Sequence, residues 1–139
     1  MLLYYKQLGW ASSYIEQKSK STKAPKTRFQ LAKEEQREIK FPERNVLFYL
    51  IDDIQKIGLW SGDSSLNDQA LFYYSKLYKI ELESFECDII KQCSNVFVNS
   101  YRLNDKTNNP APFEPLRTQS EVNAKDARLL KMKQDRSIK

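Results

Sequence analysis

Apolar residues recur at helical spacing most clearly in the stretch 43–57. The stripe consists of Leu47, Leu50, Ile51, Ile54 and Ile57. This i, i+3, i+4, i+7 pattern is typical of a helix that buries one face. Pro42 suits the first turn of a helix, and Gly58 suits the position just after the last turn. We therefore predict a core helix over 43–57.

A second helical pattern runs from residue 66 to about residue 98 without Gly or Pro. Its main apolar stripe is Tyr74, Tyr78, Leu82, Phe85, Ile89, Cys93 and Val96. Further apolar residues lie off this stripe, namely Leu71, Leu77, Ile80, Ile90 and Phe97. We predict one long helix over 66–98 that pairs with helix 43–57 as an antiparallel hairpin. Since one helix cannot cover both apolar faces, the second face indicates a partner.

The N-terminal pattern predicts a helix over 2–18, followed by a linker and a charged helix over 29–40. Trp10 and Tyr14 widen the apolar stripe of the first helix. Such a short aromatic helix must dock, either on its own core or on a neighbouring subunit. Both alternatives stay open, and under the second one Trp10 and Tyr14 bind a partner.

The linker 19–28 is basic and holds no acidic residue. Its cations are Lys20, Lys23, Lys26 and Arg28. Such a stretch is either a solvated tether or a contact with an acidic surface or a phosphate backbone. We take these four residues as candidates for partner binding.

The C-terminal part predicts an extended segment over 101–117 and a final helix over 119–134. Three prolines between residues 110 and 115 prohibit a helix there. Phe113 and Leu116 are candidate anchors in a neighbour's groove. Arg128 and Lys131 add positive charge towards the end of the final helix, and we take them as further candidates for partner binding.

The charge of the chain is divided into three blocks. Residues 1–40 hold nine Lys/Arg and four Asp/Glu, residues 41–100 hold five and nine, and residues 101–139 hold nine and five. We therefore predict an all-α protein with an acidic helical-hairpin core over 41–100. Basic, core-poor arms over 1–40 and 101–139 flank it, with extended segments and short terminal helices. Arms of this kind usually become ordered on a partner.

The absence of histidine removes most catalytic chemistry from consideration. Serine or cysteine nucleophiles activated by His, and zinc, haem or di-iron sites with His ligands, are excluded. Cys87 and Cys93 are six residues apart, so on one helix they point about 120° away from each other. We expect two reduced thiols, no cofactor, no metal and no enzymatic activity.

The sequence contains only weak indications of a membrane span or a targeting segment. The longest apolar run, 46–51, is too short to span a bilayer, and the N-terminus lacks the features of a secretory signal. That N-terminus has no acidic residue before Glu16 and leads into a Ser/Lys-rich stretch, similar to an organelle-targeting segment. We expect a mitochondrial location, or otherwise a reducing compartment inside the cell.

These observations predict a non-catalytic structural accessory subunit of a large multiprotein assembly. By analogy we favour a mitochondrial inner-membrane energy-conversion complex, either of the respiratory chain or an ATP synthase. The basic arms would hold neighbouring protein subunits together, with RNA or anionic lipid as other contacts. The alternative is an RNA-contacting protein of a mitochondrial ribosome, and a small enzyme is a third hypothesis.

Overall fold

The computed structural model describes residues 1–15, 24–60, 64–106 and 108–115, and residues 123, 126–128, 130 and 131 of the C-terminal segment. The helices are α1 (Leu2–Ser12), α2 (Arg28–Glu34), α3 (Ile51–Ile57), α4 (Asp68–Tyr78) and α5 (Ser84–Leu103). A 3-10 helix, Val46–Leu50, runs directly into α3. The described residues form no β-strand, so the predicted all-α class is confirmed.

Helix α1 packs directly on α5, and this pair forms the centre of the fold. Gly9 permits the close approach, because a Cβ at this position would lie 2.4 Å from the carbonyl oxygen of Phe97. Ser100 Oγ donates a hydrogen bond of 2.7 Å to the carbonyl of Lys6. Tyr5 on α1 is fully buried. The expectation that residues 1–40 become ordered only on a partner is therefore wrong for α1, and the first of the two docking alternatives holds for this helix.

The predicted long helix 66–98 is two helices, α4 and α5. Lys79 adopts the left-handed conformation with a φ of 53°, which ends α4. Glu83 and Glu86 then form a capping box that starts α5. The prediction of one continuous helix is wrong because these two local signals outweigh the unbroken apolar pattern.

The buried side of α5 differs from the predicted stripe. Ile90, Cys93 and Phe97 are buried on it, and of these only Cys93 belongs to the predicted stripe. Tyr78 and Phe85 from that stripe are about half exposed. The core cluster consists of Tyr5, Leu50, Ile54, Leu66, Leu71, Ile90, Cys93, Phe97 and Val98. Because the chain breaks after Tyr78, the apolar pattern changes its phase between α4 and α5.

Two segments distant in sequence from α1, at residue 40 and at residues 109–113, form hydrogen bonds with it. The buried Gln7 donates through Nε2 to the carbonyl of Lys40 at 3.0 Å. Its Oε1 accepts from the backbone N–H of Phe113, also at 3.0 Å. Trp10 Nε1 donates to the carbonyl of Asn109 at 3.0 Å. The segment around residues 109–113 therefore folds back onto the body of the protein.

Candidate docking surfaces

Helix α4 is held to the body by one of its two sides. The Asn67 side chain caps its start by accepting a 2.9 Å hydrogen bond from the backbone N–H of Ala70. Leu71 and Tyr74 are buried on the inner side. These two anchors leave the opposite side of the helix uncovered among the residues that the structure describes.

The uncovered side carries three large apolar residues, which we call the α4 outer face. Phe72, Tyr73 and Leu77 expose 57%, 61% and 75% of their surface. The Lys76 ammonium lies 5.4 Å from the centre of the Phe72 ring, where it makes a cation–π contact. Isolated exposed apolar residues are common, but three on one helical face indicate a contact surface.

A second surface combines tyrosines with carboxylates from four elements. Tyr49 Oη donates to Glu86 Oε1 at 2.6 Å, and Tyr74 Oη donates to Asp53 Oδ1 at 2.9 Å. The rings of Tyr74 and Tyr78 lie 4.8 Å apart. We call these five residues the tyrosine–carboxylate surface. Tyr49 and Tyr78 are about half exposed, so the surface is open to a partner.

The surroundings of Tyr49 and Tyr74 raise the pKa of both hydroxyl groups. The hydrogen bond to Glu86 raises the pKa of Tyr49, and partial burial and the charge of Asp53 act in the same direction. Burial raises the pKa of Tyr74 to about 12, with a further contribution from its bond to Asp53. No Lys or Arg in the described segments forms an ion pair with Asp53 or Glu86. Negative charge therefore stays available at this surface.

Arg28, which the sequence suggested as a partner contact, lies inside the protein with 6% exposure. Nη1 donates to the Trp10 carbonyl at 3.1 Å, and to Ser13 Oγ and the Asn104 carbonyl at 2.5 Å each. Nη2 donates to the Lys106 carbonyl at 2.6 Å. The guanidinium thus joins α1, the start of α2 and the segment after α5.

The chemistry around Arg28 is structural rather than anion-binding. Burial lowers the pKa of Arg28, while the charge of Asp105 acts in the opposite direction. The guanidinium carbon lies 4.8 Å from the centre of the Trp10 ring. Because its hydrogen bonds go to neutral acceptors of the same chain, the guanidinium has little capacity left for a phosphate or carboxylate ligand.

The other N-terminal candidates are partly engaged within the chain. Lys26 forms an ion pair of 2.5 Å with Glu34. Tyr14 is half exposed, and its ring lies 6.5 Å from that of Tyr101. Lys20 and Lys23 lie outside the described residues.

The C-terminal candidates differ in their exposure. Phe113 is half-buried next to α1, to which its backbone is bonded, whereas Arg128 and Lys131 are exposed. Leu116 lies outside the described residues. The structure brings Trp10 and Arg28 together, and it does not bring them to the C-terminal cations. That these residues bind partners stays a prediction.

Grooves and thiols also occur in the described part of the chain. One groove of about 230 Å³ lies beside Arg28 and Leu31, and another of about 160 Å³ lies between Leu8 and Ile54. Cys93 is completely buried, and burial raises its pKa to about 11. Within the described segments, no group of three or more Cys, Asp or Glu residues is suited to a metal ion.

The described helices include none with the length and apolar character that a membrane span requires. No protein-family model matches the chain, and neither a curated protein nor a solved structure is similar to it at a significant level. The surfaces themselves are therefore the basis for a functional interpretation.

Sequence reasoning did not single out most of these surface residues. The sequence pattern places Leu77 off the main stripe, and it does not single out Phe72. The i, i+3 spacing of Glu83 and Glu86 alone suggests a solvated acidic face. In the structure, Glu86 caps α5 and accepts a hydrogen bond from Tyr49. The three-residue spacing of these two glutamates was the available signal.

Proposed function

We propose that this protein is a non-catalytic structural accessory subunit of a large multiprotein assembly. In this proposal the α4 outer face binds an apolar surface of a neighbouring protein subunit. The observation that supports it is the exposure of Phe72, Tyr73 and Leu77 on one side of a helix whose other side is already anchored.

The chemistry of this face suits a protein neighbour. Aromatic residues are enriched in protein interfaces, and cations such as Lys76 suit the polar rim around them. Covering the exposed parts of three large apolar side chains adds on the order of 2–5 kcal/mol to binding before entropic costs. That gain suits one contact among several in an assembly rather than a tight binary complex.

The basic arms supply the other contacts of the proposal. Because Lys26 and Arg28 are engaged within the chain, contacts with neighbours depend more on Arg128 and Lys131, which are exposed. As the larger assembly we propose a mitochondrial inner-membrane energy-conversion complex. This step rests on analogy with lineage-specific accessory subunits of such complexes.

Co-purification of the tagged full chain from its own cells, before and after nuclease treatment, tests the proposal. We expect a fixed set of proteins at constant stoichiometry, retained after nuclease treatment and in 0.5 M salt, where the electrostatic screening length is about 4 Å. Leu77→Glu should remove these proteins from the purified material. Val46→Glu, which changes another exposed apolar residue, should retain them.

Two outcomes would contradict the proposal. In the first, Leu77→Glu co-purifies with the same proteins as the unchanged chain. In the second, nuclease or moderate salt releases the chain, which is the behaviour of the alternative RNA-contacting protein of a mitochondrial ribosome. The engagement of Lys26 and Arg28 within the chain weakens that alternative.

A further inference from the structure

We propose that the tyrosine–carboxylate surface binds the basic C-terminal segment, residues 116–139, of a second copy of this chain. This inference does not rest on the proposed function, whose main contact is the α4 outer face, although both proposals use the exposed Arg128 and Lys131. It rests on charge complementarity between two parts of the same sequence and on where the structure places them.

The acidic side of the contact is concentrated around the tyrosine–carboxylate surface. The ranges 46–57 and 78–88, which contain four of its five residues, hold six acidic residues and two lysines. The acidic residues are Asp52, Asp53, Glu81, Glu83, Glu86 and Asp88. Of these, Asp88 already pairs with Lys91 at 3.4 Å. Asp53 and Glu86 have no such cation in the described part of the chain.

The basic side is the C-terminal segment. Residues 116–139 hold seven Lys/Arg and three Asp/Glu. Arg128 and Lys131 are helical and exposed, and Leu130 between them exposes 61% of its surface. Neither cation forms an ion pair with Asp53 or Glu86 of its own chain. Among the described residues, the two sides of the contact thus form no ion pair with each other within one copy.

The tyrosines prepare this surface for a cation. Their hydroxyl groups bond Glu86 and Asp53 at 2.6 and 2.9 Å, so each carboxylate is already oriented before a ligand arrives. A preorganised carboxylate loses less conformational entropy when it binds. The half-exposed ring of Tyr49 offers an arginine a stacking surface beside the carboxylate. Arg128 suits this combination because a guanidinium binds carboxylates through two donors.

Two copies can satisfy the contact reciprocally. Each copy carries one acidic surface and one basic segment, so a two-fold dimer contains the contact twice and leaves neither element over. A closed dimer of this kind also limits further growth into a filament. The apolar side chain of Leu130, exposed in the single copy, would gain cover in the dimer.

The test measures self-association of the purified full chain by sedimentation equilibrium across concentration and salt. We expect a monomer–dimer equilibrium that weakens at least ten-fold between low and moderate salt, because the contact is ionic. The variant Asp53→Asn/Glu86→Gln keeps an amide oxygen as an acceptor at each position. At residue 86 this single oxygen replaces two, which accept from Tyr49 Oη and from the backbone N–H of Glu83, so the helicity of the variant is measured as well. It should weaken dimerisation at least ten-fold, since each dimer loses two contacts.

A matched control removes two charges elsewhere. Glu35→Gln/Glu38→Gln alters exposed carboxylates near α2 and should leave the dimerisation constant within two-fold. Arg128→Gln/Lys131→Gln on the other side of the contact should weaken dimerisation as strongly as the acidic-surface variant. A synthetic peptide of residues 116–139 should compete with dimerisation. Unchanged helical circular dichroism of each variant shows that folding is not the cause.

Three results would overturn the inference. The first is a chain that stays monomeric at every concentration. The second is a dimer that does not respond to the acidic-surface variant, which places the interface elsewhere. The third is a peptide that binds the surface without any dimer of the full chain, which indicates a contact within one copy. The variant Leu77→Glu should stay dimeric, so this inference and the proposed function can fail separately.

Discussion

Replacing Arg28 by alanine should destabilise the protein strongly, although this residue looks like a surface cation in the sequence. The change removes four hydrogen bonds of 2.5–3.1 Å and a side chain with 6% exposure. A hydrogen bond from a charged group contributes about 1.5–3 kcal/mol, and the relief of a buried charge offsets part of that sum. After the change, Ser13 Oγ can still donate its one proton to the Trp10 or the Asn104 carbonyl. The Lys106 carbonyl still accepts from the backbone N–H of Asn109 at 3.1 Å, so the loss is smaller than the sum of four bonds.

We therefore expect Arg28→Ala to lower the free energy of unfolding by about 2–4 kcal/mol. Urea denaturation followed by far-ultraviolet circular dichroism measures this change. Arg37→Ala is the matched control, because Arg37 is exposed and forms a surface ion pair worth about 0–1 kcal/mol. A loss below about half a kcal/mol for Arg28→Ala, comparable with ordinary surface substitutions, would refute the reasoning that a buried guanidinium joins the two ends of the fold.

Three further predictions follow from the core. Gly9→Ala should lower the free energy of unfolding by about 1–3 kcal/mol despite its better helix propensity, because the new Cβ would lie 2.4 Å from the Phe97 carbonyl oxygen; an increase in urea denaturation midpoint would contradict this packing. Iodoacetamide at pH 8 should label Cys87 well before the fully buried Cys93, and equal labelling by mass spectrometry would show that Cys93 is accessible. Burial raises the pKa of Cys93 from 9.0 to about 11, so the thiol ionises at a lower pH in the unfolded chain than in the folded one. The free energy of unfolding should therefore fall by about 2 kcal/mol between pH 9 and 11. Cys93→Ala should reduce this fall, and an identical fall in both proteins would refute the prediction.

The periodicity of the sequence predicted where helices exist better than where they begin and end. The stripe around Leu50 and Ile54 was placed correctly, because both residues are buried in the core. The break between α4 and α5 was missed, since the left-handed Lys79 and the glutamate capping box are local signals of three or four residues. Because the helix was taken as continuous, the predicted stripe matches the buried face only in part: Tyr74 and Cys93 are buried, whereas Tyr78 and Phe85 are about half exposed.

The pairing of α1 with α5 was beyond periodicity alone. The two helices can approach closely because Gly9 has no side chain where it packs against the Phe97 carbonyl. These two positions are far apart in the sequence. A basic segment of the sequence can still contribute buried residues to the core. Arg28 is an example, because a cation can be buried when enough carbonyl groups surround it.

The surfaces were predictable only in part. The sequence indicated a second apolar face that included Leu77, and the structure exposes that residue on the α4 outer face. The tyrosine–carboxylate surface combines Tyr49, Asp53 and Glu86 from three separate elements. Such a combination depends on tertiary packing, so no local sequence pattern predicts it.

Hydroxyl-radical footprinting of the α4 outer face tests the central proposal most directly. Oxidation of Phe72 and Tyr73 is measured by mass spectrometry in the purified chain and in the native assembly isolated from its cells. The account predicts strong oxidation in the purified chain, where these side chains are more than half exposed, and several-fold protection in the assembly. Equal oxidation of both residues in the two samples, with buried Tyr5 unreactive in each, would contradict the proposal that this face binds a neighbouring subunit.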